Sequence, residues 1–213
     1  FDDEVTRFLF WRNLIDPYAR EWQNQCGRWD LLDVVRTAYA LRPDGIQWPM
    51  RAPGGVGFQL GELAAANGLL HTTAHDALSD VHATVALARL IRTAQPRLFA
   101  YCLGLHKKNR VAAELGLPTS PRYARPFWHV SGMFPVERGC LALMWPLAMH
   151  PQNKNELIAW DLAHDPGELG MLKADDIRLR LFTRSAELPE GVVRLPVKSI
   201  HLNKSPMVGC NLK

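Results

Sequence analysis

The chain has 213 residues and a formal net charge of +4, with 47% hydrophobic and 22% charged residues, values that are ordinary for a soluble globular protein. No run of 18 apolar residues occurs, so no membrane-spanning segment is expected. Residues 1–118 carry a net charge of +1 and residues 119–213 one of +3. Any contact with nucleic acid therefore has to come from a local groove rather than from a strongly basic surface.

The four cysteines lie far apart and form no Cys-x-x-Cys pair, which excludes a zinc knuckle and a thioredoxin-type motif. Cysteines of this kind are typically reduced and buried in cytoplasmic proteins, and no segment resembles a secretory signal. We therefore expect a cytoplasmic protein. Because the sequence opens at Phe1 rather than at a methionine, we also expect that it begins inside a domain.

The first 117 residues are predicted to be mostly helical. Apolar residues between Val5 and Leu14 recur at helical spacing, and Trp11 and Trp22 are expected to pack in the core. A second helix is predicted over 29–41, with a buried side made of Leu31, Leu32, Val35, Ala38 and Tyr39. Asp30 is its expected N-cap.

Three further helices are predicted at 58–67, 76–94 and 98–115. The Asn67-Gly68 pair is typical of a helix C-terminus. The apolar stripe of the long helix is expected to be buried and consists of Leu78, Val81, Val85 and Ala88.

From Pro118 onward the sequence is typical of a linker and then of β-structure. Two strands are predicted at 140–149 and 157–162, on either side of a turn, and together they indicate a hairpin. Further strand-like segments lie at 192–197 and 199–202. The sequence therefore predicts two domains, a helix-rich one at 1–117 and a β-rich one at 118–213 that is cut short.

His75 and Asp80 form the first candidate site. Residues five apart on a helix point about 140° away from each other, so they can share a site only if His75 precedes the helix and Asp80 lies in its first turn. A carboxylate at that position can hold a divalent cation, and an imidazole beside it can accept a proton from a water at that cation. The competing interpretation is a surface histidine and a solvated first-turn aspartate.

Two other metal motifs are weaker. His71, His75 and Asp76 form an H-x-x-x-H-D sequence like that of His-Asp metal phosphohydrolases, but that class needs an upstream histidine and none precedes residue 71. Asp2 and Glu4 have the spacing of a D-x-E metal motif, which we reject because no apolar strand precedes it. Metal ligation and helix capping both remain open for the first acidic residues.

Trp128 and Trp145, in the β-rich part, are candidates for stacking on nucleic-acid bases. The histidines at positions 129, 150, 164 and 201 show no ligand spacing.

Six blocks of the sequence, in this order and at compatible spacing, closely resemble the bacterial exonuclease I family of DEDDh exonucleases. They are FDDEVTR at 1–7, RWDLLDV at 28–34, YALRP at 39–43, AHDALSD at 74–80, QPRLF at 95–99 and HVSGMF at 129–134.

The resemblance implies an α/β fold, with the helix-rich C-terminal part of a ribonuclease-H-like exonuclease domain followed by an SH3-like domain. It implies 3′→5′ degradation of single-stranded DNA to mononucleotides in DNA repair and recombination, with two Mg²⁺ ions. By matching motif, Asp2 and Asp80 would be metal ligands and His75 the general base.

The family's first motif contributes an Asp and a Glu that are not among these residues. Because a two-metal site depends on several carboxylates, we expect the parent protein to be an exodeoxyribonuclease and this chain alone to be inactive. The alternative is a non-catalytic module that binds DNA or a protein partner.

The resemblance also implies two partners for a monomeric protein that does not bind membranes. One is single-stranded DNA, bound by scattered cations and aromatic residues of the SH3-like part. The other is the acidic C-terminal tail of single-stranded-DNA-binding protein, for which Arg42, Tyr101 and Arg125 could form a basic, aromatic-edged pocket.

Overall fold

The computed structural model describes residues 2–51, 54–69, 77–118 and 123–211. The helices within these ranges are α1 (Asp2–Arg12), α2 (Ala19–Trp22), α3 (Leu31–Leu41), α4 (Leu60–Ala66), α5 (Ala77–Ala94), α6 (Pro96–Gly104), α7 (Lys108–Glu114) and α8 (Ala174–Phe182). The strands are β1 (Phe127–Val130), β2 (Leu141–Met149), β3 (Glu156–Asp161), β4 (Val197–His201) and β5 (Met207–Gly209). None of the described helices is both long and apolar enough to cross a membrane.

Helix α3 begins as predicted. The Asp30 side chain accepts a hydrogen bond from the backbone N–H of Leu32 at 2.8 Å, which satisfies one of the unpaired donors of the first turn. The buried side was predicted only in part. Val35 and Ala38 are buried as expected, but Leu32 is exposed, and Val34 and Thr37 are buried instead.

Helix α5 buries a different face from the predicted one. Leu78 and Val81 of the predicted stripe are 60% and 56% exposed. The buried residues are Ala83, Leu87 and Ile91, which recur every four residues on another side of the helix. The helix carries two apolar stripes, and packing against α3, α4 and α6 selects the second.

The predicted helix at 98–115 is two helices. Pro96 is the first residue of α6, where its missing N–H costs no hydrogen bond. Gly104 ends α6, and α7 begins at Lys108. The short connection turns the chain toward the sheet, since α7 contacts β5.

Two expectations about tryptophans in the helical part were wrong. Trp11 and Trp22 are 65% and 60% exposed rather than packed in the core. Most apolar side chains of α1 are exposed. The apolar face that the sequence periodicity indicates is therefore not buried within the described residues.

The second part is an antiparallel sheet with strand order β4-β3-β2-β1-β5. The predicted hairpin is confirmed as β2 and β3, with Trp145 opposite Trp160. The strand predicted at 192–197 is wrong except for its last residue, Val197, where β4 begins. Helix α8 was not predicted.

One hydrophobic core joins the helices to the sheet. It includes Val35 of α3, Ile91 of α5, Cys102 of α6 and Met144 of β2, all almost fully buried. The order of a helical part followed by an SH3-like sheet is therefore as predicted, while the boundary at residue 117 stays a prediction.

Candidate functional site

The first turn of α1 is held by ion pairs. Asp3 pairs with Arg20 of α2 and with Arg28, and Arg7 pairs with Glu21 at 2.6 Å. These pairs are partly exposed, so each contributes little to stability alone. Together they connect α1, whose first residue is Asp2, to α2 and to Arg28.

Asp80 lies in the first turn of α5 and is exposed. A carboxylate there interacts favourably with the positive end of the helix dipole. Its oxygens are the ligand type that hard divalent cations prefer, and its role as a metal ligand stays a prediction.

The other two predicted catalytic residues cannot be placed as side chains. His75 and the Asp2 side chain lie outside the described residues. Within the part of the chain that is described, no group of three His, Cys, Asp or Glu residues could hold a metal ion. The meeting of Asp2, His75 and Asp80 stays a prediction.

Arg42 and Tyr101 line a single cleft, whose volume is about 830 Å³. Arg42 follows the last residue of α3, and its Nη1 donates to the Leu41 carbonyl at 2.6 Å. Tyr101 lies on α6 and its hydroxyl donates to the Val208 carbonyl of β5 at 2.8 Å. The cleft is therefore built where α3 and α6 meet the sheet.

Trp128 forms part of the wall of this cleft rather than an open stacking surface. It is only 8% exposed, and its ring lies 6.1 Å from the Tyr101 ring, centroid to centroid. A Cβ at Gly209 would lie 2.5 Å from the indole, so only glycine allows β5 to pass this close. The prediction of Trp128 as a freely stacking residue was wrong.

Arg125 is exposed and is not among the described residues that line the cleft. The positive charge of Arg125 nevertheless acts on Cys210, at one end of the cleft. Burial and the Glu114 carboxylate raise the pKa of the Cys210 thiol, and the positive charge of Arg125 opposes that rise. Arg125 is thus a neighbour of the cleft rather than part of its wall.

Sequence reasoning did not assign the charged residues Arg97 and Glu114 to this cleft, and it considered Trp128 only for stacking on nucleic-acid bases. A signal existed for Arg97, because it precedes Tyr101 by four residues and so lies on the same face of α6. No local pattern could have found Glu114 or Trp128, because they reach the cleft from α7 and β1.

A second group of cations surrounds an aromatic ring on the sheet. The Lys198 ammonium and the Arg138 guanidinium lie 5.4 and 5.9 Å from the centroid of the Phe134 ring. Arg138 also pairs with Asp161 at 2.8 Å. The Lys198 side chain is half-buried, and this burial lowers its pKa.

Helices packed on a five-stranded antiparallel sheet agree with the predicted architecture, a helical part followed by an SH3-like domain. Residues 106–212 match the family model described as the exonuclease I SH3-like domain. The chain belongs to the exonuclease I family.

The similarity extends over both parts of the chain. It is 47% identical over 208 residues to exodeoxyribonuclease I of Escherichia coli strain K12, a match that covers 98% of this chain and 43% of the relative. The chain thus spans less than half the length of that curated relative.

Solved structures share the fold at the same level of identity. A zinc-bound form of the E. coli ExoI–ssDNA complex is 47% identical with a TM-score of 0.86, covering 98% of this chain and 43% of that one. An ExoI/SSB-Ct complex is 45% identical with a TM-score of 0.85, covering 99% of this chain and 44% of that one.

Proposed function

We propose that this chain forms part of a 3′→5′ exonuclease that degrades single-stranded DNA to mononucleotides in DNA repair and recombination in the cytoplasm. The observation that carries the proposal is the 47% identity with an exodeoxyribonuclease I over 98% of the chain. The ExoI–ssDNA complex, with its TM-score of 0.86, supports the same substrate.

Asp2 and Asp80 would hold divalent cations, two Mg²⁺ ions in the complete site. Both lie in the first turns of helices, α1 and α5. When bound, such cations neutralise the charge that develops on the phosphate during hydrolysis. The zinc-bound form of the E. coli ExoI–ssDNA complex supports the binding of a divalent metal in this family.

His75 would act as the general base that accepts the proton of the attacking water. It belongs to the AHDALSD block, five residues before Asp80. We further propose that these 213 residues alone do not hydrolyse DNA, because they contribute two of the four carboxylates that a DEDDh site uses.

The cations beside Phe134 would contact the DNA strand. Lys198 and Arg138 can bind phosphates, and an aromatic ring between them can stack on a base. Binding through phosphates releases counterions, so affinity for single-stranded DNA is expected to fall as salt rises.

A chimera tests the enzymatic proposal. This chain replaces the matching part of the E. coli exodeoxyribonuclease I, and release of mononucleotides from uniformly labelled single-stranded DNA is measured with Mg²⁺. We expect degradation by the chimera and none by the chain alone. A folded chimera that binds DNA without degrading it would favour the alternative, a non-catalytic binding module.

We also propose that the cleft of Arg42 and Tyr101, with Arg125 beside it, binds the acidic C-terminal tail of single-stranded-DNA-binding protein. The ExoI/SSB-Ct complex supports this partner. Cations around an aromatic wall suit a peptide that carries carboxylates. Binding of a labelled tail peptide to the 213-residue chain, followed by fluorescence anisotropy, tests it directly.

A further inference from the structure

The cleft proposed to bind an acidic peptide contains a carboxylate of its own. Among the described residues that line it, Arg42 and Arg97 are the cations and Glu114 is the one acid. A negative charge inside a site for a negatively charged ligand is unfavourable, so its presence calls for an explanation.

Glu114 is fixed in the cleft by contacts from two distant parts of the chain. Its Oε1 accepts a hydrogen bond from the backbone N–H of Cys210, just after β5, at 3.1 Å. The carboxylate also lies close to the Tyr101 hydroxyl, whose pKa is raised first by burial and then by Glu114. The charge is therefore held at the β5 end of the cleft.

Helix stability does not explain a charged residue at this position. Glu114 is the last residue of α7, where the negative end of the helix dipole opposes a carboxylate. An uncharged glutamine could accept the same hydrogen bond from Cys210 without that repulsion. What distinguishes glutamate from glutamine here is the charge itself.

The two ends of the cleft are thus electrostatically different. Arg42 follows the last residue of α3, and Arg97 is the second residue of α6. Apart from Glu114, the described residues that line the cleft include no carboxylate. At the β5 end, the Arg110 guanidinium lies 5.9 Å from the Tyr101 ring centroid, and both Arg125 and Glu114 act on Cys210. Glu114 offsets part of the positive charge at this end, so acidic side chains of a peptide are favoured more strongly at the first end than at the second.

We propose that Glu114 is a specificity-determining residue of this cleft, which restrains the affinity for acidic peptides and confines their carboxylates to the end formed by Arg42 and Arg97. This inference rests on the peptide-binding function proposed above. It concerns the charge of Glu114 and not its hydrogen bond to Cys210.

The experiment compares Glu114→Gln with wild type in the 213-residue chain. Anisotropy is measured with a short aspartate-rich peptide and with the same peptide carrying asparagine in place of aspartate. Glu137→Gln is the matched control, because Glu137 is exposed and does not line the cleft, yet its replacement changes the net charge equally. Circular dichroism verifies that each variant is folded.

Glu114→Gln is expected to bind the aspartate-rich peptide about threefold to tenfold more tightly, the scale of one partly screened charge interaction. Its affinity for the asparagine peptide, and both affinities of Glu137→Gln, are expected to stay within about twofold of wild type. Raising the salt concentration is expected to reduce the gain, since screening weakens the repulsion that the substitution removes.

Unchanged or weaker binding of the aspartate-rich peptide by Glu114→Gln would overturn the inference while leaving peptide binding intact. Equal tightening for both peptides would also overturn it, because the effect would then not depend on acidic side chains. Absence of binding by wild type and variant alike would instead reject the peptide-binding function, and the inference with it.

Discussion

The outward faces of α1 and α5 differ sharply from the region where α3, α6 and α7 meet the sheet. The first region exposes apolar side chains, including Phe8, Trp11 and Val81, and carries Asp80. The second buries its apolar side chains in one continuous core and builds the cleft of Arg42 and Tyr101. The cleft is thus held from several sides within the described chain, whereas the Asp80 side chain is exposed on α5.

This difference determines how each function has to be tested. The proposed peptide binding depends on a region that is packed within the described chain, so it is tested with the 213 residues. The proposed hydrolysis also uses two carboxylates that are not among these residues, so it is tested in the chimera.

The largest effect is expected at the proposed catalytic residues. In the chimera, His75→Ala should lower kcat for single-stranded DNA about 10²–10⁴-fold, the usual contribution of a general base. Asp80→Ala should cost at least as much, through lost metal binding. Unchanged turnover in His75→Ala would show that another residue accepts the proton.

The contrast in packing can be measured within one helix. Ile91→Ala removes a fully buried side chain of α5 and should lower the free energy of unfolding by about 2–5 kcal/mol. Val81→Ala, on the exposed stripe, should change it by less than about 0.5 kcal/mol. Urea denaturation of both variants tests this, and equal losses would mean that the exposed stripe is packed in solution.

A buried histidine gives the sheet region a pH dependence. His129 donates through Nδ1 to the Met207 carbonyl at 3.0 Å, and burial lowers its pKa to about 4. The unfolded chain binds this proton near pH 6.5 and the folded one only near pH 4, so stability falls as pH drops between these values and levels off below them. The loss should reach about 3 kcal/mol.

The His129 contribution is isolated by comparing wild type with His129→Asn, which keeps a donor for the Met207 carbonyl. The difference in unfolding free energy between pH 7 and pH 4 should be smaller in the variant. Identical pH profiles would show that His129 is accessible to protons in the folded state.

The smallest effect is expected in the cleft. Arg42→Ala should weaken binding of the acidic tail peptide about tenfold, the scale of one charge-assisted hydrogen bond. Arg89→Ala, on the exposed side of α5 and outside the cleft lining, is the control for net charge. Unchanged peptide affinity in Arg42→Ala would place the peptide elsewhere.

Local signals predicted local structure well. The Asp30 cap, the Asn67-Gly68 helix end and the β2–β3 hairpin depend on neighbours in sequence, and the structure has all three. Burial depended on distant partners and was predicted poorly. Helix α5 has two apolar stripes, and sequence periodicity cannot tell which one meets α3, α4 and α6.

The same limit applies to the sites. Asp80 was a candidate metal ligand from its spacing to His75 and Asp2 from motif resemblance, and neither signal shows the surroundings of a residue. In the cleft, Arg42 and Tyr101 were found from the resemblance, but Glu114 and Trp128 were not, because they belong to α7 and β1 and reach the cleft only after folding.

The most direct test of the proposed nuclease site is a crystal structure of the chimera grown with Mn²⁺, whose anomalous signal locates the metal. We expect a peak coordinated by the carboxylates of Asp2 and Asp80, with the His75 ring directed at the same site. Asp2, His75 and Asp80 on separate surfaces, or a peak that neither carboxylate contacts, would contradict the proposal.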